Sequence, residues 1–208
     1  MPPPSLREEF ALRQAGYKWI AGLDEAGRGA WAGPVVAGAV ILPLDREDLP
    51  AALAAVRDSK RLTPRKRERL LPLIKDLALT TAVGRAEPAE IDRLGIAPAT
   101  RLAMARALEA LNPQPDCLLL DAFPLPESPL PQRAIVRGDA LCLSIAAASI
   151  VAKVTRDRWM RDLDGEFPGY GLARHKGYGT AAHRRALDRL GPTPLHRMSW
   201  APMRRAQA

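Results

Sequence analysis

The chain has 208 residues, 47% of them hydrophobic and 26% charged, a composition that suits a folded domain with a sizeable core and excludes a disordered chain. Its formal net charge of +8 at pH 7 points to a polyanionic partner, nucleic acid or an anionic surface. No apolar run approaches the roughly 20 residues needed to span a bilayer, and no signal-peptide core opens the chain. Cys117 and Cys142 lie in apolar stretches rather than at metal-ligand spacing, so two reduced, buried thiols and a cytoplasmic location are expected.

In chain order, residues 1–18 read as a lead-in, Pro-rich and then briefly helical. Trp19 to Glu25 runs as an apolar strand ending on Asp24 and Glu25. Gly27-Arg28-Gly29 is too glycine-rich to stay regular and marks a turn. Gly33 to Leu42, rich in Val, Ile and Ala, predicts a second strand paired with the first as a hairpin. Thr63-Pro64 starts a helix with a capping hydroxyl and a first-turn proline. Arg65, Lys66, Arg67 and Arg69 fill its first turns, and Pro72 should kink or shorten it. Leu79 to Gly84 predicts a third strand. A helical stretch follows from Pro88, interrupted near Gly95 and resuming through Met104, Leu108 and Leu111. Cys117 to Leu120 has the pattern of a buried central strand and ends on Asp121. Ala134 to Val136 makes another strand, ending near Gly138-Asp139. Ser144 to Asp162 is helical, and its three consecutive alanines permit close packing on a sheet. From Phe167 onward the chain is basic and carries all three histidines. Strands first, with helices interleaved later, predict a mixed α/β sheet with helices around it.

The acids carry the chemistry. Asp24, Glu25, Asp121 and Asp139 fall at or just after predicted strand ends, where a charge reaches solvent or a metal instead of being buried within a sheet. Gathered at adjacent strand ends they repel one another unless a cation is bound. Oxygen ligands without nearby His or Cys favour Mg²⁺ or Mn²⁺. Two such ions about 4 Å apart form a clamp for phosphodiester hydrolysis. Taken singly, Asp121 equally serves as a loop cap and Asp139 as a helix N-cap. Gly27-Arg28-Gly29 brings backbone N–H groups and a guanidinium near a phosphate or sugar hydroxyl, or simply makes a tight turn. Asp58-Ser59-Lys60 opens a basic run that suits backbone phosphates, or a solvated face. In His175-Lys-Gly-Tyr-Gly179, Tyr178 stands between glycines as a stacking platform or a turn residue.

Ile20-Ala-Gly-Leu-Asp-Glu-Ala-Gly-Arg-Gly29 with Ala32-Gly-Pro-Val35 resembles the opening signature of ribonuclease HII, the type 2 ribonuclease H. The resemblance continues through Asp58-Ser-Lys60, Leu119-Leu-Asp121, Gly138-Asp139, Ser144 to Ile150, Ala152 to Asp157, Tyr170-Gly171, His175 to Tyr178 and His196-Arg197. It implies a ribonuclease H-like fold over the whole chain: a central mixed five-stranded sheet flanked by helices, with a helical C-terminal extension from about residue 165. It implies an endonuclease acting on RNA–DNA hybrids and on single ribonucleotides in duplex DNA, cutting on the 5′ side to leave 3′-hydroxyl and 5′-phosphate ends; a monomer is expected. Asp24, Glu25, Asp121 and Asp139 match the family's metal-binding carboxylates. Gly27, Arg28 and Gly29 match its reader of the ribose 2′-hydroxyl, and Tyr178 the tyrosine packed on the sugar. Ser59, Lys60, Ser149 and Lys153 lie in blocks associated with phosphate contact.

Four positions depart from the family pattern. Ala30 replaces a proline and should loosen the reader loop and shift ribonucleotide preference. Ala122 replaces a glycine, so its backbone should avoid positive φ. Arg137 replaces a lysine and Trp200 a phenylalanine. A DNA nuclease or integrase on the same fold would share the acids but not the ribose reader. The sibling ribonuclease HIII carries an N-terminal binding domain, whereas residues 1–18 alone precede the first strand here. A non-catalytic hybrid binder would more often have lost one of the acids. The tail Arg204 to Ala208 shows no clamp-binding motif.

Overall fold

The computed structural model describes residues 3–206; the first two residues of the Pro-rich start and the last two of the basic tail lie outside the described residues. In chain order the elements are α1 Arg7–Gln14, β1 Ile20–Ala26, β2 Val35–Ile41, α2 Leu49–Ala52, α3 Pro64–Leu77, β3 Thr80–Ala86, α4 Pro88–Leu94, α5 Ile96–Glu109, β4 Cys117–Asp121, β5 Gln132–Ile135, α6 Gly138–Leu141, α7 Leu143–Glu166, α8 Leu172–His175, α9 Ala181–Leu190 and α10 Ala201–Ala206. A single 3₁₀ turn, Ser59–Arg61, precedes α3.

The five strands form one mixed sheet in the order β3-β2-β1-β4-β5. The hairpin β1–β2 is antiparallel, as is β2–β3, while β4 and β5 join parallel on the other side of β1. Both faces are covered. One is packed by α1, α3 and α7 through Leu70, Ile74, Ile145 and Val154, the other by α4 and α5 through Ile91, Ala103 and Met104. Burial on two faces accounts for the unbroken apolar runs of β2 and β4. Helix α7 lies almost in backbone contact with the sheet: a Cβ on Gly22 would collide with the Ser144–Ile145 backbone, and one on Gly38 with the Ala148 carbonyl. Strand glycines facing the small-residue run Ala146–Ala148 bring the helix that close.

Three sequence expectations change. The lead-in belongs to the fold: Glu9 on α1 is buried and accepts hydrogen bonds from Ser144 N and Oγ at 2.8 and 2.7 Å, and Ser5 bridges to Cys142. Pro72 neither ends nor shortens α3, which runs 14 residues through it. Pro72 sits on the solvent side, while Arg67, Leu70, Leu71 and Ile74 anchor the opposite face, so one missing backbone bond is tolerated. Ala122 adopts φ 59°, in the left-handed region it was expected to avoid. Its N–H donates to Ile135 O at 2.9 Å and the next N–H turns back to Asp121 O at 2.7 Å, so pairing of β4 with β5 overrides the local preference. Both cysteines are free and buried, and no described helix is long and apolar enough to cross a membrane.

Candidate active site

Asp24, two residues inside the end of β1, Asp121 at the end of β4 and Asp139 in the first turn of α6 converge where these two neighbouring parallel strands end. Each offers a carboxylate oxygen, and these three atoms lie within 4.8 Å of one another. The parallel pairing of β4 beside β1 brings Asp121 to Asp24. The Asp121 carboxylate then accepts the Gly138 N–H at 2.7 Å, which fixes the start of α6 and with it Asp139. Asp24 is 3% exposed and its Oδ1 accepts the Glu25 N–H at 2.7 Å. Burial, then the charges of Glu25 and Asp121, hold the Asp24 carboxyl well above the usual carboxylate range. Burial and Asp121 push Asp139 up in the same direction, against the pull of Lys60, whose Nζ stands 3.3 Å from Asp139 Oδ2.

Glu25 is the exception among the four predicted acids. It is adjacent to the trio but not within it, since successive strand residues project to opposite faces. Its Oε1 accepts from Arg28 Nη1 at 3.3 Å, while Oε2 is buried without a hydrogen-bond partner. Burial raises its pKa despite the nearby guanidinium. Three converging carboxylates, carboxyls of Asp24, Glu25 and Asp139 pushed up by burial, and an orphaned buried carboxylate oxygen on Glu25 are the features expected of an acid cluster built for divalent cations. The residues fit a hard metal ion.

Gly27-Arg28-Gly29 leads out of β1 beside the acids. Gly27 has φ 94° and would clash with the Arg156 guanidinium if it carried a Cβ, whereas Gly29 faces open space. Ala30 closes the turn after the glycines. It is fully buried, and its N–H donates to Gly27 O at 3.2 Å, a turn-closing bond that proline could not make. Arg28 stacks over the exposed Phe123 ring at 4.7 Å. Tyr178 lies nearby, with Lys153 Nζ and the Arg156 guanidinium each 5.5 Å from its ring centre.

The four phosphate-contact candidates separate. Lys60 is exposed and adjoins Asp139. Ser59 and Ser149 are buried and bonded to each other, Ser59 N to Ser149 Oγ at 3.0 Å, tying the 3₁₀ turn to α7. Lys153 is half-buried and held by Asp157 at 2.6 Å.

Two residues in the matched blocks had no role assigned from sequence. Arg197, fully buried, donates to the carbonyls of Gly27 and Arg28 at 2.7 Å each and of Gly33 at 3.0 Å. Arg156, equally buried, donates to Pro34 O at 2.8 Å, Ala32 O at 3.0 Å and Lys176 O at 2.9 Å. Together they lock the segment 27–34 to the C-terminal region. Burial holds the Arg197 guanidinium down to about 9, so it remains charged at neutral pH. An arginine spent on backbone carbonyls has no sequence signature; it reads like any surface cation.

A mixed five-stranded sheet with helices on both faces and acids at the ends of its central strands defines the class of ribonuclease H-like enzymes. The ribonuclease HII family model matches residues 21–203. A ribonuclease HII of Dehalococcoides mccartyi is 57% identical over 201 residues, covering 97% of this chain and 94% of that protein. Among solved structures, ribonuclease H2 of Pyrococcus horikoshii superposes with a TM-score of 0.75 at 28% identity, covering 91% of this chain and 97% of the other. The ribonuclease HII of Archaeoglobus fulgidus, solved in complex with PCNA, gives 0.74 at 29% identity, covering 88% and 95%. The chain belongs to the ribonuclease HII family, divalent-metal-dependent endoribonucleases that hydrolyse RNA in RNA–DNA hybrids.

Proposed function

We propose that this enzyme cuts hybrids and also incises duplex DNA on the 5′ side of a single embedded ribonucleotide. The observation that carries the reading is the convergence of Asp24, Asp121 and Asp139 oxygens within 4.8 Å, beside a loop able to read a ribose. Asp24, Asp121, Asp139 and Glu25 would hold Mg²⁺ or Mn²⁺. Two such ions, when bound, offset the clustered negative charge and supply Lewis-acid activation of water and of the leaving oxygen. Hydrolysis forms a new P–O bond from water and breaks the bond to the 3′-oxygen, leaving a 3′-hydroxyl upstream and a 5′-phosphate on the ribonucleotide.

The chain's own residues supply placement. Backbone N–H groups of Gly27–Gly29 and the Arg28 guanidinium recognise the 2′-hydroxyl, the group that separates RNA from DNA. Arg28 is oriented from two sides, by Glu25 and by the Phe123 ring. Tyr178 packs on the sugar from a backbone held on both sides: its N–H donates to His175 O at 2.9 Å, and its carbonyl accepts from Thr180 N at 2.8 Å. Lys60 places a cation next to Asp139, where a phosphate would enter.

The test compares a duplex holding one ribonucleotide with its all-DNA twin, in Mg²⁺, Mn²⁺ and chelator. Cleavage is expected only at the ribonucleotide and only with metal. Asp121→Asn should lower the rate roughly 100-fold or more, the scale of losing one electrostatic contact to the reacting centre. Equal cleavage of the all-DNA twin, or an unchanged rate in Asp121→Asn, overturns the reading.

A further inference from the structure

Beside the acidic cleft lies a second depression of about 670 Å³, between the segment before the 3₁₀ turn and the first turns of α3. Arg57, Arg61, Lys66 and Arg69 rim it, over a floor that includes Leu62 and Leu70. Among the described residues no carboxylate lines it. None of the four cations forms an ion pair among the described residues, whereas nearby Arg158 and Arg161 share Glu68 at 2.6 Å each. Arg57 uses only Nη1, on the Ala54 and Val56 carbonyls. Lys66 and Arg69 stand one turn apart on the same face of α3, and the helix macrodipole opposes the charge of Lys66 in the first turn. Folding therefore gains little from these charges.

The depression is continuous with the acidic cleft. Arg61 lines both, and its neighbour Lys60 contacts Asp139. A duplex carries one negative charge per roughly 1.7 Å of its axis, so a substrate seated at the carboxylates extends an unbroken row of phosphates past whatever adjoins them. Arg61, Lys66 and Arg69 are exposed and carry no ion pair among the described residues, so their charge is free to neutralise such a row. An acidic protein would also match the charge, but it would not explain the continuity with the cleft through Arg61.

We propose that this groove binds the phosphate backbone of the substrate duplex beyond the point of cleavage, with Arg61 at its mouth and Lys66 and Arg69 along its wall. The proposal rests on the nuclease reading above and extends it from the cut site to the flank. The groove lies to one side of the acids, so its contribution depends on the length of duplex on one side of the ribonucleotide only.

The test uses the full chain. Lys66→Gln/Arg69→Gln is compared with Lys75→Gln/Arg93→Gln, which removes the same charge from exposed positions outside the groove. Binding to a long single-ribonucleotide duplex is measured against salt. The groove variant should reduce the slope of log K against log [salt] by about 2, close to one unit for each lost phosphate contact, and should raise KM while kcat holds within about twofold. Trimming one flank of the duplex should abolish the difference between the two variants, and trimming the other should preserve it. Equal slopes and equal KM for the two variants overturn the groove while leaving wild-type cleavage at the ribonucleotide intact. Loss of that wild-type cleavage would instead sink the nuclease reading.

Discussion

Ala122 holds φ at 59° immediately after Asp121, and a left-handed L-residue costs roughly 1–2 kcal/mol. Two backbone bonds, to Ile135 O and from the following N–H to Asp121 O, keep it there. The strain sits where the turn delivers a carboxylate to the acid cluster, a common location for such residues. Ala122→Gly should therefore stabilise the protein by about 0.5–1 kcal/mol, the released strain exceeding glycine's extra chain entropy. The measurement is a urea melt; a lower midpoint in the variant would show that the turn is unstrained. At the same scale, Glu25 shows how one residue of register separates neighbours. Asp24 faces its two partners across the cleft, while Glu25 faces Arg28 and keeps one oxygen buried and unpaired.

The loop after β1 and the segment before α10 form one unit held by Arg197. Its guanidinium serves the carbonyls of Gly27, Arg28 and Gly33, each of which would otherwise be left without that donor in a buried place. Arg197→Met leaves the Gly33 and Arg28 carbonyls without a donor at about 1–3 kcal/mol apiece, while Gly27 O keeps the Ala30 N–H, and the cost is offset in part by removing a desolvated charge. The expected net loss is about 3 kcal/mol in denaturant melts. Selectivity for the ribonucleotide duplex over its 2′-deoxy twin should fall as well, because the reader loop loses its support. A variant that is destabilised but fully selective would limit Arg197 to a structural role. Helix α3 teaches the converse lesson: its interior Pro72 costs one backbone bond on the exposed side, and the buried face carries the helix past it.

Across the molecule, three histidines from separate segments tie the C-terminal region together and pack it against the Trp31–Ala32 loop. His196 Nδ1 accepts from Thr193 N at 2.9 Å, so its Nε2–H donates to His183 Nε2 at 3.1 Å, and His183 Nδ1–H donates to the Tyr178 carbonyl at 3.1 Å. His175 stacks on His183 at 4.4 Å between ring centres. Burial chiefly, with the neighbouring His175 and His196, holds His183 down to about 4. Its folded pKa thus lies below the unfolded value near 6.5, so the unfolded chain binds more protons between those values. Stability is complete above about pH 6.5 and falls as pH drops toward 4, by a total on the order of 3 kcal/mol. His183→Leu should flatten this part of the stability–pH curve; an unchanged slope in urea melts between pH 4 and 7 would remove His183 as its source.

The apolar runs, the caps and the acids following strand-like segments were legible in the sequence because they follow local rules: periodicity, turn chemistry and the cost of burying a charge inside a strand. The sequence by itself therefore determined the order and type of the main elements, the candidate acids and, through its ordered motifs, the family. Only the tertiary structure decided which acids meet, since that depends on β4 lying parallel to β1 and on Asp121 capturing the start of α6. It alone showed that Ser59 and Ser149 bond to each other, that Arg156 and Arg197 turn inward onto carbonyls, and that residues 3–18 belong to the packed fold. These are contacts between segments 90 to 170 residues apart, and no local pattern encodes the partner of a side chain at that separation.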